Sequence, residues 1–166
     1  MEIPTNIHKA LENHKWKEGV LEQMKVLVGN QTWDIVELPE DKKIVSCKWI
    51  FTVKYNADSR IERCKARLVA QGLTQTYGVD YEETFAPIAK LNSIRVLLSM
   101  AANLDWELHQ SNIKNVLNGK LEEEVYMQIP LEFESAKNLG KVCKLKKALH
   151  GLKQSPRAWF TKFMQP

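Results

Sequence analysis

The alternation of apolar and polar positions divides the chain into a helical start, two alternating strands, a second helical segment and a short closing helix. Residues 11–28 place Trp16, Val20, Met24 and Leu27 at steps of three and four, which predicts an amphipathic helix docked on something larger. Gly19 lies inside it, and a glycine in a helix interior costs about 1 kcal/mol relative to alanine, so a weak helix is expected. Asn30-Gln-Thr breaks the pattern. Cys47, Trp49, Phe51, Val53 and Tyr55 then fall on every second position, with Lys48, Thr52 and Lys54 between them, the signature of a half-buried strand. Asn56-Ala-Asp-Ser59 is turn chemistry. A second alternation follows, with Cys64, Ala66, Leu68 and Ala70 on one face and Arg63, Lys65 and Arg67 on the other.

Downstream, Ser93 before Ile94-Arg-Val-Leu-Leu-Ser-Met-Ala-Ala predicts an N-cap and a largely buried helix. Trp106, Leu108 and Gln110 alternate as a short strand leading to Asn112 and Lys114-Asn115. The run Glu122-Glu123-Glu124 raises the question of a metal site, but three adjacent side chains on a strand cannot face one way, so solvated loop charge is expected before a short strand at Val125-Tyr-Met. Ser155-Pro156 predicts an N-cap and first turn of a helix through Arg157, Ala158, Trp159 and Phe160. Its aromatic face is expected to pack against later chain.

Composition narrows the class. A chain of 166 residues is one domain or less, and 44% hydrophobic with 27% charged residues describes a globular protein with a core. No apolar run approaches the ~18 residues of a spanning helix. The start, Met1-Glu-Ile-Pro-Thr-Asn, has no basic flank leading into an apolar stretch, so neither secretion nor membrane insertion is expected. Cys47, Cys64 and Cys143 are odd in number and lack C-x-x-C spacing, which predicts buried reduced thiols rather than a disulfide or zinc framework.

The net charge of +4 is modest, but its distribution is not. Residues 42–73 carry eight cations against two acids and residues 141–166 carry seven against none, together 15 of the 24 basic residues. Such segregation suggests surfaces for a polyanion, a nucleic acid or a triphosphate, with a solvated basic face as the alternative. On the second strand, Arg63, Lys65 and Arg67 form a stripe about 7 Å between neighbours, comparable with phosphate spacing. A charge-protected edge strand accounts for the same pattern.

Five blocks then read as a series: Lys48-Trp-Ile-Phe-Thr-Val-Lys54, Arg63-Cys-Lys-Ala-Arg-Leu-Val-Ala70, Asp80-Tyr-Glu-Glu-Thr-Phe-Ala-Pro87, Leu121-Glu-Glu-Glu-Val-Tyr-Met127 and Gly151-Leu-Lys-Gln-Ser-Pro-Arg-Ala-Trp159. Their order and spacing, from about Trp16 to the C-terminus, resemble the reverse transcriptase of Ty1/copia-type retrotransposon polyproteins. The resemblance implies an α+β fold, an incomplete right-handed polymerase with fingers mainly over 11–86 and 122–150 and a partial palm over 87–121 and 151–166. It also implies nucleic acid, as an RNA or DNA template-primer, and a deoxynucleoside triphosphate as partners, Mg²⁺ as cofactor, and a cytoplasmic or nuclear setting without a membrane. Fingers cations of such enzymes hold the incoming triphosphate, a role that falls to Lys65 and Arg67, inside the matching block, and to Arg63. His150 stands where the family usually has tyrosine beneath the nucleotide sugar, and Gln154 lies in the same block.

Polymerases transfer a nucleotide with two Mg²⁺ ions about 4 Å apart, held by carboxylates. The resembling family has Gln-x-Asp-Val-Lys-Asn-Ala-Phe-Leu around its first metal-binding aspartate. Here Gln110-Ser-Asn-Ile-Lys-Asn-Val-Leu117 puts Asn112 in that place. Asparagine offers a carbonyl but no charge to offset Mg²⁺. Three residues on, Ala-Phe-Leu is represented only by Val116-Leu117, so the family's phenylalanine steric gate and its register are both lost. The later Tyr-x-Asp-Asp hairpin is absent from the 166 residues. The expectation is a degenerate, truncated reverse transcriptase fragment without an intact catalytic or metal site and without productive Mg²⁺ binding. A non-catalytic basic nucleic-acid-binding module and a relic product without selected function remain the competing readings.

Overall fold

The computed structural model describes residues 2–82, 84, 90–109 and 119–164. Asn112, Val116 and Leu117 therefore lie outside the described residues.

The expected first helix is two. α1 spans Ile7–Glu12 and α2 spans His14–Gly29. Asn13 closes α1 through its backbone N–H and opens α2 by accepting the Lys15 N–H on its side chain, which satisfies donors that a helix start leaves orphaned. Gln31, at φ 50°, turns the chain out of α2. The stripe is as expected: Trp16, Val20, Met24 and Leu27 are buried. Gly19 is buried with them, and a Cβ built there would lie 2.8 Å from the Cys64 carbonyl oxygen. The missing side chain lets α2 lie against strand backbone, so Gly19 serves packing.

Two sheets follow. A four-stranded sheet has the order β1-β6-β5-β2, from β1 (Trp33–Val36), β2 (Ile44–Val45), β5 (Lys120–Met127) and β6 (Val142–Lys147). Its β2–β5 pair is parallel and the others antiparallel. β3 (Cys47–Tyr55) and β4 (Ile61–Ala70) form a separate antiparallel hairpin. Together with the helices this is an α+β architecture.

The apolar residues form two clusters, one packed by α1 and α2 and the other by the C-terminal half of α2. Ile7, Ala10, Trp16 and Val20 pack on Val53, Cys64 and Ala66. Met24 and Leu27 pack with Leu68 and Ala70 of β4, the centre of the four-stranded sheet, and Leu149 and Leu152. The inner face of the hairpin thus contributes to both. Cys64 and Cys143 are buried and Cys47 partly so, none of them in a disulfide, and burial pushes the Cys47 and Cys143 thiols up to about 11 and about 12.

Several expectations are corrected. The second helix, α3, spans Leu91–Asn103 with Lys90 rather than Ser93 at its N-cap. It is not buried: Leu91, Val96 and Leu97 are more than half exposed, and Ala101 is its buried residue. Residues 106–109 form no strand. The three glutamates lie within β5, not in a loop, because the strand begins at Lys120. Tyr55, expected on the inner face, is exposed at the end of β3, where the register with β4 shifts. α4 spans Ser155–Phe163, and the Ser155 hydroxyl donates to the Leu149 carbonyl rather than capping the helix.

Candidate nucleic-acid interface

Each buried residue of β4 forces its neighbours outward. Cys64, Ala66, Leu68 and Ala70 are buried, so Arg63, Lys65 and Arg67 stand on the opposite face. Antiparallel register then sets Lys54 opposite Arg63, Thr52 opposite Lys65, Ile50 opposite Arg67 and Lys48 opposite Val69. One face of the hairpin carries five cations. The nearest acid on the strand is Glu62, with a carboxylate 3.6 Å from Arg63. Lys65 and Arg67 have no salt-bridge partner among the described residues. Partial burial, and then repulsion from Arg67, Arg63 and Lys54, hold the Lys65 ammonium below its ordinary pKa, against an opposing pull from Glu22. The face therefore stores unneutralised positive charge, and an anion there relieves it.

The end of this ridge is completed by chain about 80 residues later. The Ala70 N–H donates to the His150 carbonyl at 2.7 Å. Gly151 follows at φ 94°, where a Cβ would fall 2.0 Å from the Ala70 carbonyl oxygen and 2.8 Å from a Val69 methyl. Only glycine fits such a crossing. His150 is thereby held at the end of β4. Its imidazole pKa is lowered by burial first, and then by Arg67 and Lys65. Its Nδ1 is buried with no hydrogen-bond partner among the described residues.

Gln154 is 1% exposed, and its Oε1 accepts from Gln75 Nε2 at 3.1 Å. Gln75 Oε1 accepts in turn from the Lys153 backbone N–H at 3.0 Å. Both bonds of this amide pair fix its orientation, and Gln154 Nε2 is left buried without a partner among the described residues. Buried polar atoms are nearly always paired, so the unpaired His150 and Gln154 nitrogens stand out. Gln75 was not singled out from the sequence. It falls in the short 3-10 turn Gly72–Thr74 and its flank, where no periodicity marks a polar residue for burial.

The structure thus sets His150 at the end of the strand that carries Arg67 and Lys65, places Arg63 further along the same face toward the turn, and sets Gln154 in a buried pair with Gln75. Asn112 is outside the described residues. The glutamates are committed elsewhere: Glu124 meets Lys144 at 2.5 Å and Lys42 at 3.5 Å, while Arg157 of α4 binds both Glu122 and Glu123. The Lys144 contact lowers the Glu124 carboxyl pKa. Among the described residues no three His, Cys, Asp or Glu side chains gather as possible metal ligands. No helix among them is long and apolar enough to cross a membrane.

The chain is 46% identical over 153 residues to the retrovirus-related Pol polyprotein from transposon TNT 1-94 of Nicotiana tabacum, covering 92% of this chain and 12% of that protein. It is 44% identical over 159 residues to the Pol polyprotein from transposon RE1 of Arabidopsis thaliana, covering 95% and 11%. Identity to the Ty1-DR4 Gag-Pol polyprotein of Saccharomyces cerevisiae is 26% over 163 residues, covering 90% and 9%. The chain spans about a tenth of the length of these relatives. No solved structure matches it. A family described as reverse transcriptase (RNA-dependent DNA polymerase) matches residues 30–165, and the chain belongs to that family.

Proposed function

We propose that this chain is the part of a reverse transcriptase that grips the template-primer and the triphosphate of the incoming nucleotide, and that it does not itself carry out nucleotidyl transfer. In this reading residues 11–86 and 122–150 are mainly fingers, and 87–121 and 151–166 are part of a palm. The observation that carries the reading is the outward ridge of Arg63, Lys65 and Arg67, unneutralised at Lys65 and Arg67 and extended by His150. Lys65 and Arg67 hold phosphate oxygens, Arg63 extends the same rail, and His150 and Gln154 lie toward the sugar. RNA-directed DNA synthesis by a longer Pol protein is the activity that such a grip serves.

The absence of catalysis rests on two sequence positions. Asn112 supplies no charge where a metal-binding aspartate is expected, and one residue is missing at Val116-Leu117. Primer extension with Mg²⁺ or Mn²⁺ should give no incorporation above a heat-killed control. Asn112→Asp alone should not restore it, because the shortened segment still displaces the gate. Incorporation by either chain would overturn this half of the proposal.

Binding tests the other half. Fluorescence anisotropy with a primer–template duplex should show weak, sequence-indifferent affinity that falls steeply with salt, because each neutralised phosphate adds a slope of roughly −0.9 in log K against log salt. Neutralising Lys65 and Arg67 together should reduce that slope by about 1.8. Unchanged affinity and slope would rule the ridge out as the binding face.

A further inference from the structure

His150 departs from the tyrosine that its block leads one to expect, and its surroundings give the change a consequence. The residue is pinned by its own carbonyl to Ala70 N–H, at the end of the strand that carries Lys65 and Arg67. Gly151 crosses against Val69, which shares the outward face with those cations. The charged groups acting on the ring from β4 are Arg67 and Lys65. The 3-10 turn beside it brings Gln75, and the start of α4 brings Gln154 and Ser155, all neutral. Among the described residues no carboxylate compensates the ring.

An imidazole in this position has two states of different value to a ligand. Neutral, it spares two neighbouring cations a third charge. Protonated, it adds a third positive charge to those of Arg67 and Lys65. With the face empty, repulsion and partial burial favour the neutral ring. An anion lying across Lys65 and Arg67 removes the repulsion and so favours protonation of the ring. We propose that anion binding on this ridge is coupled to uptake of one proton by His150, so that the face holds phosphate groups more tightly as the solution turns weakly acid. The inference rests on the ridge being a phosphate-binding surface.

The sign follows from linkage. The ring's pKa is below the ordinary histidine value in the free chain and rises when the anion is bound. Affinity is therefore lowest above the bound-state pKa, climbs as pH falls through it, and levels off below the free-state pKa. The gain is roughly tenfold for each pK unit by which the ligand raises the ring. By reciprocity the proton and the anion promote each other equally.

The test uses the whole chain and a single-stranded oligothymidylate, whose phosphodiesters keep their charge between about pH 5 and pH 8. Isothermal titration near the midpoint of the histidine range, in two buffers of different ionisation enthalpy, reads the protons taken up per binding event. Uptake of a fraction of one proton, with affinity rising toward acid pH, is expected. His150→Gln should bind with no uptake from this site and a flattened pH profile. Proton NMR of the wild-type ring gives a second measure that needs no variant: the His150 resonance should titrate below the ordinary value in the free chain and move up when the oligonucleotide is added. Binding without uptake, an unmoved His150 titration, or uptake that persists undiminished in His150→Gln would each overturn the coupling while leaving the grip intact. Absence of binding at every pH would overturn both.

Discussion

At the scale of single residues, two glycines decide how closely chain segments approach. At Gly19 two effects oppose one another. Alanine there should strengthen an isolated α2 by about 1 kcal/mol, yet its Cβ would meet the Cys64 carbonyl oxygen at 2.8 Å. Backbone cannot yield as a flexible side chain can, so Gly19→Ala should lower stability by about 1–2 kcal/mol in urea unfolding. A raised midpoint would show that helix propensity wins. At Gly151 both terms have one sign. The φ of 94° is strained for alanine, and the Ala70 oxygen stands 2.0 Å from the new Cβ. Gly151→Ala should cost about 2–3 kcal/mol and release His150 from the end of β4. His150 itself adds a pH term. Because its native pKa is depressed, its stabilisation is fully present above the unfolded value and is lost as pH falls through the native one. His150→Gln should remove that part of the acid sensitivity, read as the change in unfolding midpoint between neutral and weakly acid pH.

At the scale of elements, legibility followed the strength of the periodic signal. The β3–β4 hairpin is legible except at Tyr55, where the register shifts, since alternation puts Cys64, Ala66 and Leu68 inside and the cations outside. The α2 stripe was equally plain. α3 is exposed where its sequence predicts burial, because apolar content implies burial only if a covering surface is present. The glutamates of β5 read as a loop because charge runs usually are, whereas here Lys42, Lys144 and Arg157 meet them. Short strands such as β1 and β2 are too brief to declare a period. Of the candidate site, the ridge came from alternation, His150 and Gln154 from resemblance, and Gln75 from neither, since its burial depends on contacts with chain 78 and 79 residues away. Arg157 supplies an element-level test: it joins α4 to β5 through Glu122 and Glu123. Arg157→Ala should speed hydrogen exchange of the α4 amides and leave the hairpin's protection unchanged. Equal acceleration in both would show that α4 does not open as a separate unit.

At the scale of the whole molecule, α3 carries a run of exposed apolar residues. Leu91, Val96, Leu97 and Leu98 are 61%, 58%, 56% and 49% exposed, a density that promotes association in solution. Replacing Val96 with Lys and Leu97 with Glu should raise the concentration at which light scattering begins. Each change should alter the unfolding free energy by no more than about 0.5 kcal/mol, as expected of surface positions. A loss well beyond that would mean the helix is packed more closely than its exposure indicates.

The contact between Ala70 and His150 also sets an order of events at the ribosome. At roughly 5–20 residues per second, the 80 residues that separate them take about 4–16 s to synthesise. During that interval the hairpin is already made. One half of its inner face, at Val53, Cys64 and Ala66, has its cover at hand, because Ile7, Ala10, Trp16 and Val20 precede it in the chain. The other half, at Leu68 and Ala70, has Met24 and Leu27 but waits for Leu149 and Leu152. The nascent chain thus carries a half-seated hairpin, cations outermost, through the time when it is nearest to the messenger and ribosomal RNA.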